Sequence, residues 1–521
     1  MKNGEDFCHC SRIVHTLFYF ETRPDPAAKR LCVSVKRRFS LEIVRGLCYT
    51  MHRSARKGAG DFMSFNFFRA HRETDSQVLR LAGPSILENL AVIMISFVDA
   101  AMIGVMGPAA TAAVGVNASP SWLLGGIVQD LGVGGTALVA RLVGAKDRRE
   151  AGRVSGLVLR MAVLLSAFLT ALMLLGAPAV PVIMNADPAI RDDAIAYMRL
   201  LALGFIPHYT GIAAGSLIRG AGDTRTPMIA GLLSNGLNVA LNFLLIYAPR
   251  TITVFGFSFF MWGAGLGVRG AAAASAVATG ASGVFLLLSL TGKKAALRVQ
   301  WRAKWDRAIV KRVLLIAYPA ALERAAINLG QMMFARMVAS VGVAAFAAHN
   351  QSIQVESLGY MPAFGFSVAA TALVGQNLGA SKPARAKDSG MRAILLCLLL
   401  LTAVGVIMYA FAPFLISLLT PDEEVRRIGT MLIRICAFEQ PFNAVSIVAS
   451  GALRGAGDTK VPFFYALISM WGVRILFAWV FGTLLGFGVA GFWWAMVSDL
   501  GVRSLLLIRR FIKGDWIAAK V

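Results

Sequence analysis

The sequence is poor in charge. Asp, Glu, Lys and Arg make up 15% of the 521 residues, against roughly 25% in soluble proteins, while 57% of the residues are hydrophobic and the mean hydropathy is +0.65. This composition excludes a soluble protein. Apolar runs near the ~20 residues that cross a bilayer recur from about 78 to 512, which also excludes a single membrane anchor. The chain is predicted to be an all-α polytopic membrane protein.

Cysteine and histidine are also scarce, with six of each. Cys397 and Cys436 lie in separate apolar runs, so no disulfide framework is indicated. The segment Cys8-His9-Cys10 does not have the spacing of a zinc site. The sequence contains neither Asp-Asp-x-x-Asp nor His-x-x-x-x-Asp, which disfavours a membrane-embedded transferase. We therefore expect no enzyme activity, no metal centre and no cofactor.

Basic residues outnumber acidic ones by 52 to 28, which gives a formal charge of +24. In a soluble protein this excess would suggest nucleic-acid binding. Here the basic residues are concentrated in the connections after every second apolar run, which is typical of cytoplasmic loops in a membrane protein. Both termini are then cytoplasmic, and the expected location is the plasma membrane, a bacterial inner membrane. Residues 1–75 form a basic extension that we expect to be disordered, with Met51 or Met63 as alternative starting residues. A role in nucleic-acid binding is not expected, because this extension has no folded module.

An internal repeat organises the rest of the chain. The run from Ile218 to Pro227, which contains Arg-Gly-Ala-Gly-Asp-Thr, returns from Leu453 to Pro462, so that Gly220 corresponds to Gly455. Other pairs of matching residues are separated by the same 235 positions, including Pro84 and Pro319. After the fifth apolar segment the offset is shorter, so the first half holds fourteen extra residues near 251–262. The repeat predicts two lobes that are related by an axis along the membrane normal, with a cavity between them.

Each half contains six apolar segments, so twelve transmembrane helices are predicted. The predicted organisation is a first lobe with spans 1–6 at residues 76–291, a basic cytoplasmic linker at 292–310, a second lobe with spans 7–12 at 311–513, and a cytoplasmic tail at 514–521.

The sequence resembles the multidrug and toxic compound extrusion (MATE) family of efflux transporters from about Gln77 to Lys513. The residues that carry the resemblance are the duplicated Arg-Gly-Ala-Gly-Asp-Thr-x-x-Pro, the runs 374–380 and 97–99, and Phe438-Glu439-Gln440-Pro441. The resemblance implies two six-helix lobes, a V-shaped central cavity, and export of drugs, often cationic and amphipathic, driven by inward flow of H⁺ or Na⁺. The expected partners are small-molecule substrates and membrane lipids, and a monomer is expected.

Ionisable residues inside spans are candidates for function, because a charge at the bilayer centre costs at least about 2.5–3.5 kcal/mol unless it faces a partner or a cavity. Asp99 is the strongest candidate and lies about twenty residues into the first span. In the resembling family an acidic residue in this Phe-Val-Asp position is implicated in coupling to protons or other cations. A buried Asp held by Asn or Ser neighbours is the structural alternative.

Three asparagines on the fifth span are the expected neighbours of this carboxylate. Asn235, Asn238 and Asn242 recur at spacings of three and four, which places them on one helical face. Proton-coupled archaeal and some bacterial relatives carry an Asn followed four residues later by an Asp here, whereas this chain has a second Asn. These amides could coordinate Na⁺, hold Asp99 by hydrogen bonds, or pack helices together.

The second lobe offers further ionisable candidates for ion coupling or substrate binding, namely Glu356, Arg434 and Glu439. The secondary candidates are Glu88, Glu323, Gln376 and His349. Glu323 repeats Glu88 four residues after a proline, which indicates a shared structural role.

The duplicated turns are predicted to be structural. Their glycines free the backbone, and the aspartates are expected to cap the helices that follow. The residues concerned are Gly220, Gly222 and Asp223 in the first turn, and Gly455, Gly457 and Asp458 in the second.

The favoured function is a secondary active antiporter. The nearer alternative is a lipid-linked precursor flippase of the same superfamily, which would be favoured by two additional spans or a basic cavity. A membrane-embedded transferase is a less favoured alternative.

Overall fold

The computed structural model describes residues 71–254, 257–292, 295 and 297–518. Nearly all of the predicted basic extension, with Cys8, His9 and Cys10, lies outside the described residues. In the described chain almost every residue of the apolar runs is helical, because only a helix satisfies its own backbone hydrogen bonds in hydrocarbon.

The first half of the chain forms spans 1 to 6. Their helices are Arg72–Gly104, Pro108–Gly144, Arg148–Gly176, the pair Pro188–Leu203 and Phe205–Gly220, Arg225–Leu245, and Gly267–Ser289, with a short helix Ala179–Ile183 after span 3.

The second half forms spans 7 to 12. Their helices are Arg307–Ala339, Val343–Gly379, Pro383–Ser417, the pair Glu423–Ala437 and Gln440–Gly455, Lys460–Leu484, and Gly488–Lys513. Within span 11 the segments Ile468–Ile475 and Ala478–Leu484 are π-helical, and a 3₁₀ turn Asp515–Ala518 follows span 12.

Ten of these helices are long and apolar enough to cross a membrane, and the number reaches twelve when each bent pair is taken as one span. The bends are 52° in span 4, at Gly204, and 51° in span 10, beside Glu439. Gly204 and Glu439 occupy equivalent positions in the two halves, so the break is itself part of the repeat. The twelve-helix fold with two halves is therefore confirmed.

A two-stranded antiparallel hairpin between spans 5 and 6 departs from an all-helical chain. Strand β1 is Arg250–Val254 and strand β2 is Phe257–Met261, with Arg250 opposite Met261. The hairpin falls on the fourteen residues by which the first half exceeds the second, so the insertion forms its own local structure and leaves the register of the spans unchanged.

The two halves share their core at one end only. One buried cluster combines second-half residues with Val78 and Ala82 of span 1, and another combines first-half residues with Ile309 and Val313 of span 7. The first turns of spans 1 and 7 are thus embedded in the opposite lobe. The remaining buried clusters of the described chain each draw on a single half. The lobes are joined at one end and diverge towards the other, which produces the V shape.

Spans 2 and 8 cross at this joined end, and glycine makes the crossing possible. A Cβ atom on Gly379 would collide with the carbonyl oxygen of Arg141, and a Cβ atom on Gly144 would collide with that of Gln376. Because backbone atoms occupy these places, a side chain at either glycine could be accommodated only by moving the helices apart.

We expect Gly379→Ala to destabilise the protein by roughly 1–3 kcal/mol, the usual cost of overpacking. The thermal unfolding temperature in detergent should fall clearly below that of the wild type. Gly115→Ala, in span 2, is the matched control, since no atom lies within 4 Å of its added Cβ. Equal unfolding temperatures for the two variants would contradict the crossing.

Candidate functional site

Asp99 lies half-buried in span 1 and faces span 5. Asn242 Nδ2 donates to Asp99 Oδ1 at 2.7 Å, and the same nitrogen lies 3.1 Å from the side-chain amide of Asn238. Both asparagines are buried. The carboxylate of span 1 is therefore held directly by the amides of span 5.

Asn238 links this pair to span 6. With its amide nitrogen turned towards the carboxylate, Asn238 donates to Asp99 Oδ1 at 2.7 Å and accepts from Ser275 Oγ at 3.1 Å. The oxygen of Asn242 is buried and has no hydrogen-bond partner in the described chain. Three spans thus bring carboxylate, amide and hydroxyl oxygens together around one small polar site.

Asn235 does not join this site. Its Nδ2 is buried without a hydrogen-bond partner among the described residues, one helical turn from Asn238. Of the three asparagines on the predicted face, two contact or approach Asp99.

Glu356 and Glu439 form a second polar site in the other lobe. Only 8% of Glu356 and 1% of Glu439 is exposed, and the two carboxyl groups lie within hydrogen-bonding reach of each other. Asn443 Nδ2 donates to Glu439 Oε1 at 3.1 Å, whereas Glu439 Oε2 is buried without a partner in the described chain. Two adjacent buried carboxylates repel each other, so such a pair is suited to holding one proton between them.

Arg434 is not part of this second site. Its guanidinium is exposed and lies over the ring of Tyr409, 5.6 Å from the centroid. No carboxylate of the described chain lies within ion-pair distance of it. Its interaction is a cation–π contact between spans 9 and 10.

Span 11 contributes a buried arginine that is paired within the second lobe. Arg474 lies on the π-helical segment and donates from Nε to Asp499 Oδ2 at 2.7 Å. Arg503 approaches the same carboxylate at 3.2 Å and donates to Ser469 Oγ at 2.8 Å. Asp499 therefore pairs with two arginines, and Arg474 also lies close enough to Glu356 and Glu439 to act on them electrostatically.

His349 is a core residue. It is 2% exposed, and its ring lies among aromatic neighbours, with centroid distances of 5.8 Å to Phe334 and 5.8 Å to Trp493. Its Nδ1 has no partner within the described residues.

Glu88 and Glu323 make equivalent ion pairs. Glu88 Oε1 lies 3.2 Å from Arg219 Nη1 in the first half, and Glu323 Oε2 lies 2.8 Å from Arg454 Nη2 in the second. Both arginines belong to the duplicated turns, so each pair ties the first span of its half to the turn after the fourth.

Asp223 stabilises the first of the two duplicated turns by hydrogen bonds to the helix that follows. Asp223 Oδ1 accepts from the backbone N–H groups of Arg225 and Thr226 at 3.0 and 3.1 Å, and its other oxygen accepts from the Thr226 hydroxyl. Gly222 has a φ of +93°, which favours glycine.

The second turn differs from the expected cap. Asp458 does not accept from the helix that follows it, and instead binds Arg510 of span 12 at 3.0 Å. Arg510 donates to Asp458 Oδ2 from both Nε and Nη2, and such a charge-assisted pair orients the carboxylate towards span 12. Gly457 keeps the positive φ of its counterpart, at +85°.

Each duplicated turn also contacts the opposite lobe. Gln376 Nε2 donates to the carbonyl oxygen of Gly220 at 3.1 Å, and Arg141 Nη2 donates to that of Ala456 at 2.8 Å. Gln376 and Arg141 stand at equivalent positions of the repeat. Gly455 and Gly220 allow this arrangement, because a side chain at either would press on the neighbouring span 8 or span 2.

One further ion pair bridges the lobes. Arg324 of span 7 binds Asp130 of span 2 through two hydrogen bonds, of 3.0 Å to Oδ2 and 2.9 Å to Oδ1. Sequence reasoning did not single out Arg324, Asp499 or Arg503, because their significance depends on which spans are neighbours. Their position inside apolar runs was the one available signal.

The MatE family profile matches residues 84–244 and 319–480. The two matched stretches begin at equivalent positions of the repeat, the prolines of spans 1 and 7, and together cover more than half of the chain.

The chain belongs to the MatE family.

Among curated proteins, this MatE chain is 30% identical over 447 residues to "Probable multidrug resistance protein NorM" of Thermotoga maritima, covering 85% of this chain and 93% of that protein. It is 26% identical to "Uncharacterized transporter YisQ" of Bacillus subtilis, covering 84% and 94%. Family members are transporters and not enzymes, in agreement with the sequence analysis.

Solved structures share the fold. A structure described as the outward-facing conformation of a multidrug resistance MATE family transporter has a TM-score of 0.75 at 22% identity, over 85% of this chain and 95% of that one. A second, a MOP superfamily transporter from Pyrococcus furiosus described as having a reversed polarity of its binding pocket, has a TM-score of 0.77 at 22% identity, over 86% and 97%.

In this MatE protein we expect Asp499→Asn to lower the free energy of unfolding by about 3–5 kcal/mol, because it leaves the buried Arg474 and the largely buried Arg503 without their carboxylate. Thermal unfolding in detergent measures the effect. Asp193→Asn is the control: its pair with Arg269, at 3.7 Å, is more than half exposed and should contribute at most ~1 kcal/mol. A loss for Asp499→Asn no larger than that of the control would contradict the assigned pairing.

Proposed function

We propose that this protein is a secondary active antiporter that exports drugs or other amphipathic, often cationic, organic compounds in exchange for inward H⁺ or Na⁺. The names of its relatives support export of drugs, and the observation that carries the coupling is the Asp99 site. A carboxylate on span 1 contacts amides on span 5 in a lobe that is joined to the other lobe at one end only.

The Asp99 site can bind a cation in either of two forms. A proton on Asp99 would turn the carboxylate into a donor, and rotation of the Asn242 amide would present its oxygen, which is buried without a partner in the described chain, as the acceptor. Sodium would instead use oxygens, which Asp99, Asn238 and Ser275 supply within one cluster. In both cases an ionised Asp99 attracts a cation, and occupancy alters the contact between spans 1 and 5.

The Glu356 and Glu439 pair is a second candidate in the same function. Glu439 lies at the 51° break of span 10, the kind of helix discontinuity at which membrane transporters place ion and substrate sites. A shared proton there would be separate from the ion at Asp99, because the two sites lie in different lobes.

The orientation follows from the basic loops. With the duplicated turns at the cytoplasmic face of the plasma membrane, the joined end of the lobes is cytoplasmic and the divergent end faces outward. The protein is then in its outward-facing state, and it acts as a monomer in the lipid bilayer.

We expect Asp99→Asn to reduce ion-driven efflux at least 10-fold while expression and thermal stability stay near those of the wild type. Dye accumulation in energised inside-out vesicles measures efflux. Asp192→Asn is the control, since this exposed carboxylate has no ion pair in the described chain. Efflux by Asp99→Asn at the rate of the control would refute the proposed site.

The coupling ion is identified by imposing gradients one at a time. In proteoliposomes, a pH gradient alone should drive transport if the ion is H⁺, and a Na⁺ gradient alone should drive it if the ion is Na⁺. Transport that needs neither gradient would contradict antiport, and movement of a labelled lipid-linked precursor without dye transport would favour the flippase.

A further inference from the structure

The ion pair between Asp130 and Arg324 joins the two lobes where they begin to diverge. Asp130 lies fourteen residues before Gly144, roughly 20 Å along span 2 from the joined end at 1.5 Å per residue. Arg324 lies near the middle of span 7, whose first turns are embedded in the opposite lobe. The pair therefore lies between the two lobes at the level where they begin to diverge, and not at the membrane surface.

Span 2 accommodates the side chain of Arg324 at a glycine. The stem of Arg324 passes over Gly126, where an added Cβ would lie 2.9 Å from Arg324 Cδ, and one helical turn further on Asp130 receives the guanidinium. Asp130 has a side-chain exposure of 5%, whereas 31% of Arg324 is exposed. The carboxylate is thus buried in one lobe, and the arginine reaches it from the other.

This contact has no counterpart in the repeat. The positions equivalent to Asp130 and Arg324 are Gly365 and Asn89, and Gly365 packs tightly on Ala82 and Ile86 of span 1. Other ion pairs between the halves, such as Asp75 with Arg392 and Arg153 with Asp306, hold the first turns of spans 1 and 7 at the joined end.

At the level of Asp130 and Arg324, the charges of the two lobes balance only when these two side chains are in contact. In the second lobe, Glu323 is already paired with Arg454, so Arg324 leaves one positive charge in excess. In the first lobe, Asp130 has no other ion pair in the described chain, and Arg454, which also acts on it electrostatically, belongs to the second lobe. Separation of the lobes at this level would leave a lone carboxylate on one side and a lone guanidinium on the other, which attract each other again.

We propose that the Asp130–Arg324 pair is the lock that positions the two lobes in this conformation, and that it must break each time the cavity opens at the joined end. The inference rests on the alternation of the lobes in the proposed function, but not on the identity of the coupling ion or the substrate. The partial exposure of Arg324 makes the lock reversible, since its guanidinium can be hydrated as soon as it leaves Asp130.

The test measures lobe separation directly. Val105→Cys and Ser340→Cys place spin labels on equivalent connections at the divergent end, in full-length protein whose six native cysteines are replaced, reconstituted in lipid nanodiscs. Wild-type protein should give mainly the long distance. Asp130→Asn and Arg324→Gln should each raise the ratio of the short-distance to the long-distance population by about 5-fold or more, as expected for loss of a coupling between lobes.

Glu88→Gln is the matched control, because its ion pair with Arg219 is of the same kind but lies within one lobe. It should leave the distance distribution unchanged even if it lowers thermal stability. The double exchange Asp130→Arg with Arg324→Asp should restore the wild-type distribution, which a merely structural role would not predict.

A distribution in Asp130→Asn and Arg324→Gln that matches the wild type, or shifts no more than in Glu88→Gln, would overturn the lock. Failure of the double exchange to restore the distribution would overturn it as well. Because no gradient or substrate is present, absence of efflux in the transport assay would refute the proposed function without affecting this result.

Discussion

Close contact between spans 2 and 8 is the constraint on which the rest of the structure depends. Gly144 and Gly379 let each helix approach the backbone of the other, and this contact brings Arg141 and Gln376 within reach of the opposite turns. The lobes are joined there, and the divergence of the two bundles towards the other end follows from it. The two candidate ion sites, at Asp99 and at Glu356 with Glu439, lie inside the separate lobes that this junction connects.

Much of this architecture could be predicted from the sequence, because the repeat and the apolar runs are properties of the chain order. The constant offset between the duplicated motifs defined the two halves, and the excess of fourteen residues marked the place of the hairpin. The pairing of Asp99 with the span 5 amides also agreed with the face defined by Asn238 and Asn242. These inferences succeed because helical periodicity depends on neighbouring residues and the repeat depends on a constant spacing along the chain, and both can be read without knowing which helices are in contact.

What could not be predicted depends on contacts between spans far apart in sequence. Asp458 binds Arg510 and does not cap its helix, and Arg434 lies over the ring of Tyr409. Symmetry was misleading for Asp458, because the environments of the two turns have diverged. The same divergence leaves Asp130 and Arg324 without equivalents in the other half, so no comparison of the halves would have found them.

The embedding of spans 1 and 7 in the opposite lobes has a consequence for biosynthesis. The core that surrounds Leu131 and Val158 is completed by Ile309 and Val313, which leave the ribosome only after all six spans of the first lobe. The core of the second lobe in turn includes Val78 and Ala82, which are made first. Neither lobe can therefore complete its core alone. The first half stays incompletely packed in the bilayer until the seventh span has been inserted, so membrane insertion and final packing are separate events in time.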